Sequence, residues 1–145
     1  MHHLFKHKYL LLAAGALFTG TAFAGPSSHG TPASGAPQPI VTEVMTKALP
    51  EFPGKEALMI TVDYPPGAAD PIHRHDAHAF VYVLQGSIVM QVQGGKEVTL
   101  TPGQSYYEGP DDLHTVGRNA SKTEPAKFVV VLFKNQGVPA LIPAQ

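Results

Sequence analysis

From Ile40 onward the chain is a succession of short β-favouring segments separated by glycine, proline and aspartate. The segments are rich in Val, Ile, Tyr, Phe and Thr, and none carries a sustained helical period. Many short strands at this spacing predict an all-β sandwich or closed barrel, in which closure also hides the strand edges. The predicted strands cover residues 40–46, 57–64, 79–85, 87–93, 97–101, 105–107, 114–116 and 127–134.

The N-terminus has the pattern of a secretory signal peptide. Lys6 and Lys8 form a weakly basic start, residues 9–18 form an apolar run, and a small-residue cleavage site ends at Ala24. The apolar run is short for a membrane span. We therefore expect residues 1–24 to be removed, giving a secreted or periplasmic product without a membrane anchor.

The remaining chain predicts a linker followed by one domain. Residues 25–39 are rich in Gly, Pro, Ser and Ala and cannot bury enough apolar surface to order themselves, so we interpret them as a flexible linker. Residues 40–145 are then the β-barrel domain. The chain has 10 Lys and Arg residues against 11 Asp and Glu and no cysteine. This composition provides no basic patch for nucleic acid and no thiolate chemistry.

Histidines are concentrated at the start of one predicted strand. His73, His75 and His78 lie immediately before the apolar run at residues 79–84. Two imidazoles at i and i+2 of a strand point to the same face, and imidazole is the commonest protein ligand for a metal ion. His114 begins another predicted strand about forty residues later and could complete the set. Such nitrogen ligands suit zinc, iron, copper or nickel better than calcium or magnesium.

The segment around His73 and His75 resembles the first motif of the cupin family. That motif has a Gly, five residues, His-x-His, three or four residues, a Glu, six residues and a Gly. Here Gly67 is followed by five residues, then by His73 and His75, and Gly86 closes the motif.

The second cupin motif is matched closer to the C-terminus. It runs from Gly103 to His114 eleven residues on, with Pro110 and Asn119 each one place late. The resemblance spans roughly residues 58–133. It implies a cupin-type double-stranded β-helix, or jelly-roll barrel, of the small single-domain kind. It also implies a divalent metal ion held by His73, His75 and His114, with Fe, Zn, Cu, Ni or Mn as candidates.

The sequence departs from the motif at the glutamate. Its position falls on Ala79 or Phe80, neither of which can bind a metal, so the usual site of three His and one Glu is expected to be incomplete. In one interpretation the site keeps three His ligands and extra open positions. In the other, His78 is a fourth ligand, although strand alternation places it on the opposite face from His73 and His75 unless a bulge intervenes.

These features lead to one main functional hypothesis and two alternatives. The main one is a metal-dependent oxidoreductase, dioxygenase-like, acting on a small molecule. The alternatives are a cupin that binds a metal or small ligand without turnover, and a metal-dependent isomerase or lyase. An acid–base role would fall to Tyr106, Tyr107 or His78. A homodimer is the usual cupin habit and is expected from the resemblance alone.

Overall fold

The computed structural model describes Gly35 and residues 37–144. The predicted signal peptide, residues 1–24, lies outside this part of the chain, as does most of the predicted linker. Within the described residues, no helix has the length and apolarity needed to cross a bilayer.

Ten β-strands and no helix make up the described residues, which confirms the all-β prediction. The strands are β1 (Ile40–Ala48), β2 (Lys55–Tyr64), β3 (His73–Arg74), β4 (Ala77–Gln85), β5 (Ile88–Val92), β6 (Val98–Leu100), β7 (Ser105–Glu108), β8 (Leu113–Asn119), β9 (Ala126–Asn135) and β10 (Ile142–Pro143).

The strands form two five-stranded antiparallel sheets. One has the order β1-β2-β9-β4-β7 and the other β10-β3-β8-β5-β6. Strands that are distant in the sequence are neighbours in both sheets, so each sheet is assembled by non-local pairing. This arrangement brings the β3 segment beside β8, and the end of β7 beside the start of β4.

Strand β4 shows how the core is formed. Ala77, Ala79, Val81 and Val83 are buried on one face, while the residues between them are exposed. Side chains of β2 and β9 alternate in the same way and pack against this face. Each fully buried Val, Leu or Ile side chain in this core contributes roughly 1.5–3 kcal/mol to folding.

The outer face of the same sheet is aromatic. Phe80 contacts Tyr107 and Phe133, with ring centroids 5.3 and 5.9 Å apart, and all three rings are partly exposed. Strand β1 lies at the edge of the sheet and is exposed along its whole length.

Apart from shifts of one or two residues at strand ends, the structure differs from the predicted strands in three places. The two-residue strands β3 and β10 were not predicted, because the polar pair His73–Arg74 and the proline-containing Ile142–Pro143 have no strand pattern of their own. Strand β8 continues to Asn119 rather than ending at residue 116. Its pairing with β5, which places Gly117 opposite Met90, overrides the low strand propensity of these residues.

Candidate metal centre

Cross-strand pairing brings His73 and His114 together. The short strand β3 pairs with β8 in a register that places His73 directly opposite His114. Both side chains are buried, with exposed fractions of 3% and 2%. His73 Nδ1–H donates to the carbonyl oxygen of Pro71 at 2.8 Å. Because a carbonyl only accepts, this bond places the proton on Nδ1 and leaves the Nε2 lone pair free to face the interior.

His75 is oriented by the C-terminal segment of the chain. Its Nδ1–H donates to the carbonyl oxygen of Ala140, in the C-terminal segment. That segment is attached alongside β3 through the pairing of β10, in which Ile142 lies opposite Arg74. The hydrogen bond selects the same tautomer as in His73, so Nε2 of His75 carries no proton when the imidazole is neutral.

Glu108 provides the carboxylate that the sequence analysis expected to be absent. It is the last residue of β7, is only 2% exposed, and lies directly opposite Ala79 in the β4–β7 pairing. The expectation of a site without a carboxylate is therefore wrong. Ala79 leaves space on the inner face of β4, and the carboxylate enters that space from the neighbouring strand.

A sequence signal for Glu108 did exist. Tyr106 and Tyr107 are adjacent at the end of a predicted strand, so one of them faces the interior, and residues at i and i+2 of a strand share a face. If Tyr106 faces inward, Glu108 does so too. The sequence prediction missed Glu108 because the first motif places its glutamate a few residues after His75, whereas Glu108 lies on a different strand.

Four ligand atoms converge at one point. His73 Nε2 lies 3.2 Å from His75 Nε2 and 3.3 Å from His114 Nδ1. Glu108 Oε2 lies 3.2 Å from His75 Nε2 and 3.3 Å from His114 Nδ1. All four atoms lie within 4.8 Å of one another. Ligands that share one ion at bond lengths of about 2.0–2.2 Å are separated by roughly these distances. These four residues are called the tetrad below.

The electrostatics of the tetrad are those of a cation site. Burial would raise the pKa of Glu108, but the His75 imidazole, whose Nε2 lies 3.2 Å from Oε2, and the other nearby imidazoles outweigh it and lower that pKa. Burial lowers the pKa of both His73 and His114, which favours neutral imidazoles. Burial also opposes the charged form of His75, yet Glu108 and the Ala140 carbonyl outweigh it and raise its pKa.

Two atoms of the tetrad have unmet bonding capacity. Glu108 Oε2 and His114 Nε2 are buried and have no hydrogen-bond partner among the described residues. An unpartnered buried carboxylate oxygen is costly unless a cation or a donor neutralises it. The donor set of three imidazoles and one carboxylate is thus compatible with a divalent metal ion.

A cavity of about 80 Å³ adjoins the tetrad. Its wall is mostly apolar and includes side chains from β2, β4, β5 and β9. Asp70 lines the same cavity, and the buried hydroxyl of Tyr64 donates a hydrogen bond to its Oδ2. Burial raises the pKa of Asp70, and the bond from Tyr64 partly opposes that rise.

The other candidate residues from the sequence do not line this cavity. His78 lies on the outer face of β4, where its Nδ1 is hydrogen-bonded to the hydroxyl of Tyr107 at 2.7 Å. It is outside the tetrad, so the interpretation of His78 as a fourth ligand is not supported by its position, and Glu108 takes that place. Tyr106 packs against the core without contributing to the cavity wall. The structure thus brings none of the three acid–base candidates to the tetrad.

Comparison with known proteins identifies the family. The cupin domain profile matches residues 60–132, about half of the chain, and the protein therefore belongs to the cupin family. No curated protein sequence matches the chain.

Solved structures agree with this assignment. A conserved protein with a double-stranded β-helix domain from Klebsiella pneumoniae matches with a TM-score of 0.58 and 20% identity, over 74% of this chain and 86% of that one. A cupin domain from Bordetella pertussis matches with a TM-score of 0.53 and 24% identity, over 70% and 98% of the two chains. These similarities confirm the double-stranded β-helix fold.

An enzyme is also among the similar structures. A recombinant oxalate oxidase in complex with glycolate matches with a TM-score of 0.55 and 25% identity, over 72% of this chain. The matched region is 54% of the oxalate oxidase, so this chain spans about half the length of that enzyme.

Proposed function

We propose that this protein is a metal-dependent cupin oxidoreductase of the dioxygenase kind that acts on a small molecule. The observation that carries the proposal is the tetrad itself, in which three imidazole nitrogens and the Glu108 oxygen converge beside an apolar cavity. Four protein ligands leave room on an octahedral ion for a substrate. The similarity to an oxalate oxidase supports an oxidoreductase.

Each part of the site has a defined task in this proposal. The tetrad holds the ion, and the carbonyls of Pro71 and Ala140 keep His73 and His75 in the tautomer that can bind it. The apolar wall excludes bulk water from the bound molecule. A divalent ion in the tetrad would supply Lewis acidity and, if it is iron or manganese, redox chemistry. Zinc, copper and nickel are the other candidates.

Elemental analysis followed by an oxygen-uptake assay tests this proposal. We expect about one divalent ion per chain in protein purified without a histidine tag. Oxygen consumption is then measured with diketones, thiols, flavonols and small carboxylates, before and after removal of the metal with a chelator. Uptake that requires both a substrate and the metal supports the oxidoreductase. Protein without any stoichiometric metal contradicts the proposal at its first step.

A binding protein without turnover is the second candidate. It is favoured by the scarcity of acid–base groups in the cavity, because Tyr106, Tyr107 and His78 do not line it. Metal binding with no oxygen uptake over the whole panel would favour this candidate.

A metal-dependent isomerase or lyase is the third candidate. Such an enzyme needs a general base near the ion, and the Asp70 carboxylate is a group of that kind on the cavity wall. Conversion of a substrate without oxygen uptake, followed by chromatography of the products, would favour this candidate over the first two.

The cellular location and the oligomeric state stay predictions. A secreted or periplasmic location depends on residues 1–24, which are outside the described part of the chain. N-terminal sequencing of the exported protein would test it, and light scattering would test the homodimer.

A further inference from the structure

Asp70 is a polar group of the cavity that the tetrad does not use. Apart from the four tetrad residues, the described lining of the cavity is Asp70 together with apolar side chains such as Ile60, Met90 and Phe128. A small molecule bound at the tetrad therefore meets one additional polar side chain.

Two hydrogen bonds hold Asp70 in place, one at its backbone and one at its carboxylate. Its backbone N–H donates to the carbonyl oxygen of Gly117 at 2.8 Å, and Tyr64 donates to its Oδ2. Tyr64 is fully buried and packs edge-on against Phe128 with ring centroids 5.0 Å apart. The bond from Tyr64 occupies Oδ2, whereas no hydrogen bond to Oδ1 occurs among the described residues, so Oδ1 can accept one from a bound molecule.

Gly117 allows Asp70 and the tetrad to share this space. A Cβ atom at Gly117 would stand 2.8 Å from Asp70 Oδ2, 3.0 Å from His114 Cε1 and 3.2 Å from the Tyr64 hydroxyl. Gly117 is not among the glycines with positive φ, so its role is to leave space rather than to permit a turn. The Asp70 carboxylate therefore faces the tetrad across a gap that any larger residue would fill.

We propose that Asp70, positioned by Tyr64, orients the small molecule that binds at the tetrad, and that it selects molecules carrying a hydrogen-bond donor. This inference rests on the proposed function, because the molecule is anchored by a metal ion. An ionised carboxylate only accepts hydrogen bonds, and the positive charge of an ion in the tetrad favours the ionised form of Asp70.

The substrate class follows from this chemistry. The molecule has an oxygen ligand for the ion, a hydroxyl or amine directed at Asp70, and a short apolar body that fits the cavity. A second carboxylate directed at Asp70 is disfavoured, because two like charges at close range in a buried site repel. Small 2-hydroxy acids have these features, whereas dicarboxylates do not.

A matched pair of probes tests the selection. Lactate and pyruvate have similar sizes and metal-binding oxygens, but only lactate carries a hydroxyl proton that it can donate. Each is titrated into cobalt-loaded protein, and the dissociation constant is read from the visible absorption of cobalt. We expect lactate to bind at least about tenfold more tightly than pyruvate.

Three variants test whether the preference for lactate depends on Asp70. In Asp70→Asn, which offers a donor as well as an acceptor, we expect the preference to fall to within about twofold while the cobalt content is unchanged. Asp76→Asn is the matched control, because Asp76 is an exposed carboxylate next to His75 that pairs with Arg74 at 3.6 Å outside the cavity. It should keep the full preference. Tyr64→Phe, which removes only the positioning hydroxyl, should reduce the preference and provides a second test if Asp70→Asn does not fold.

The outcomes distinguish this inference from the function on which it rests. Cobalt binding with no preference for lactate, or with the same preference in Asp70→Asn, contradicts the inference alone. If neither variant changes the ratio of the two dissociation constants, Asp70 does not orient the bound molecule. Failure of the wild-type protein to bind cobalt contradicts the proposed function, and the inference fails with it.

Discussion

The two faces of the β4–β7 pair have opposite properties. On the inner face, Ala79 lies opposite Glu108, and the Glu108 carboxylate meets three imidazoles in a buried cluster. On the outer face, one residue away along each strand, His78 and Tyr107 form an exposed hydrogen-bonded pair among aromatic rings. On each face a polar side chain of β7 meets a histidine, yet four ligand atoms converge only on the inner one.

The difference shows that side-chain direction and strand pairing, rather than nearness in the sequence, determine which residues reach the tetrad. His78 is three residues from His75 but points to the outer face, because its neighbours Ala77 and Ala79 take the inner positions of β4. Glu108 is more than thirty residues from His73. It nevertheless joins the tetrad, because β7 pairs with β4 in a register that places Glu108 beside the space at Ala79. The predictions that follow test this contrast, beginning with the largest expected effect.

Removal of a tetrad ligand should have the largest effect. We expect Glu108→Ala and His114→Ala each to lower the affinity for a divalent ion by more than about 100-fold, because they remove a ligand rather than an outer partner. Metal content by elemental analysis and titration with Co²⁺ measure the loss, and circular dichroism checks that the β fold is retained. A folded variant with wild-type metal content would show that the tetrad does not hold the ion.

Moving the carboxylate across the strand pair should restore much of what Glu108→Ala loses. Directly opposed residues of an antiparallel pair have Cβ atoms about 4.5–5.5 Å apart, a distance that the reach of a Glu side chain can bridge. In the double variant Ala79→Glu with Glu108→Ala, we expect the affinity to recover by at least about tenfold over Glu108→Ala alone.

The control for this exchange uses the outer face. Phe80→Glu combined with Glu108→Ala places a carboxylate one residue further on, where it points away from the tetrad. It should restore nothing. Equal recovery in both double variants would mean that the gain comes from net charge rather than from ligand geometry.

The C-terminal segment should have an intermediate effect. A chain that ends at Val138 loses the Ala140 carbonyl that orients His75 and the pairing of β10 with β3. Loss of an outer partner of a metal ligand typically lowers metal affinity by about 10–100-fold, and we expect a decrease in that range. Pro143→Ala, which keeps the backbone in place, is the control and should bind like the wild type. Wild-type affinity in the shortened chain would show that the Ala140 carbonyl does not position His75.

The sequence predicted features that depend on local patterns better than features that depend on contacts between distant segments. The β segments and their inward residues were predictable, because alternation on a strand such as β4 is a local pattern. His73, His75 and His114 were found through the spacing of the cupin motifs, and the structure brings their side chains together.

The missed features depend on pairing between distant segments. Glu108 enters the site through the register of β7 with β4, and the Ala140 carbonyl enters through the pairing of β10 with β3. Asp70 was missed because its hydrogen bond with Tyr64 has no sequence signature. A single sequence carries little information about such register, which is decided by the packing of the whole barrel.

The smallest effect is expected on the outer face. His78→Ala and Tyr107→Phe each remove the same hydrogen bond between two exposed side chains. A bond of this kind contributes about 1 kcal/mol or less to the free energy of unfolding, measurable by urea denaturation. Neither variant should change the affinity for the metal by more than about twofold, because both side chains point away from the tetrad. A tenfold loss of metal affinity in His78→Ala would mean that strand alternation does not separate the two faces, and that His78 is a ligand after all.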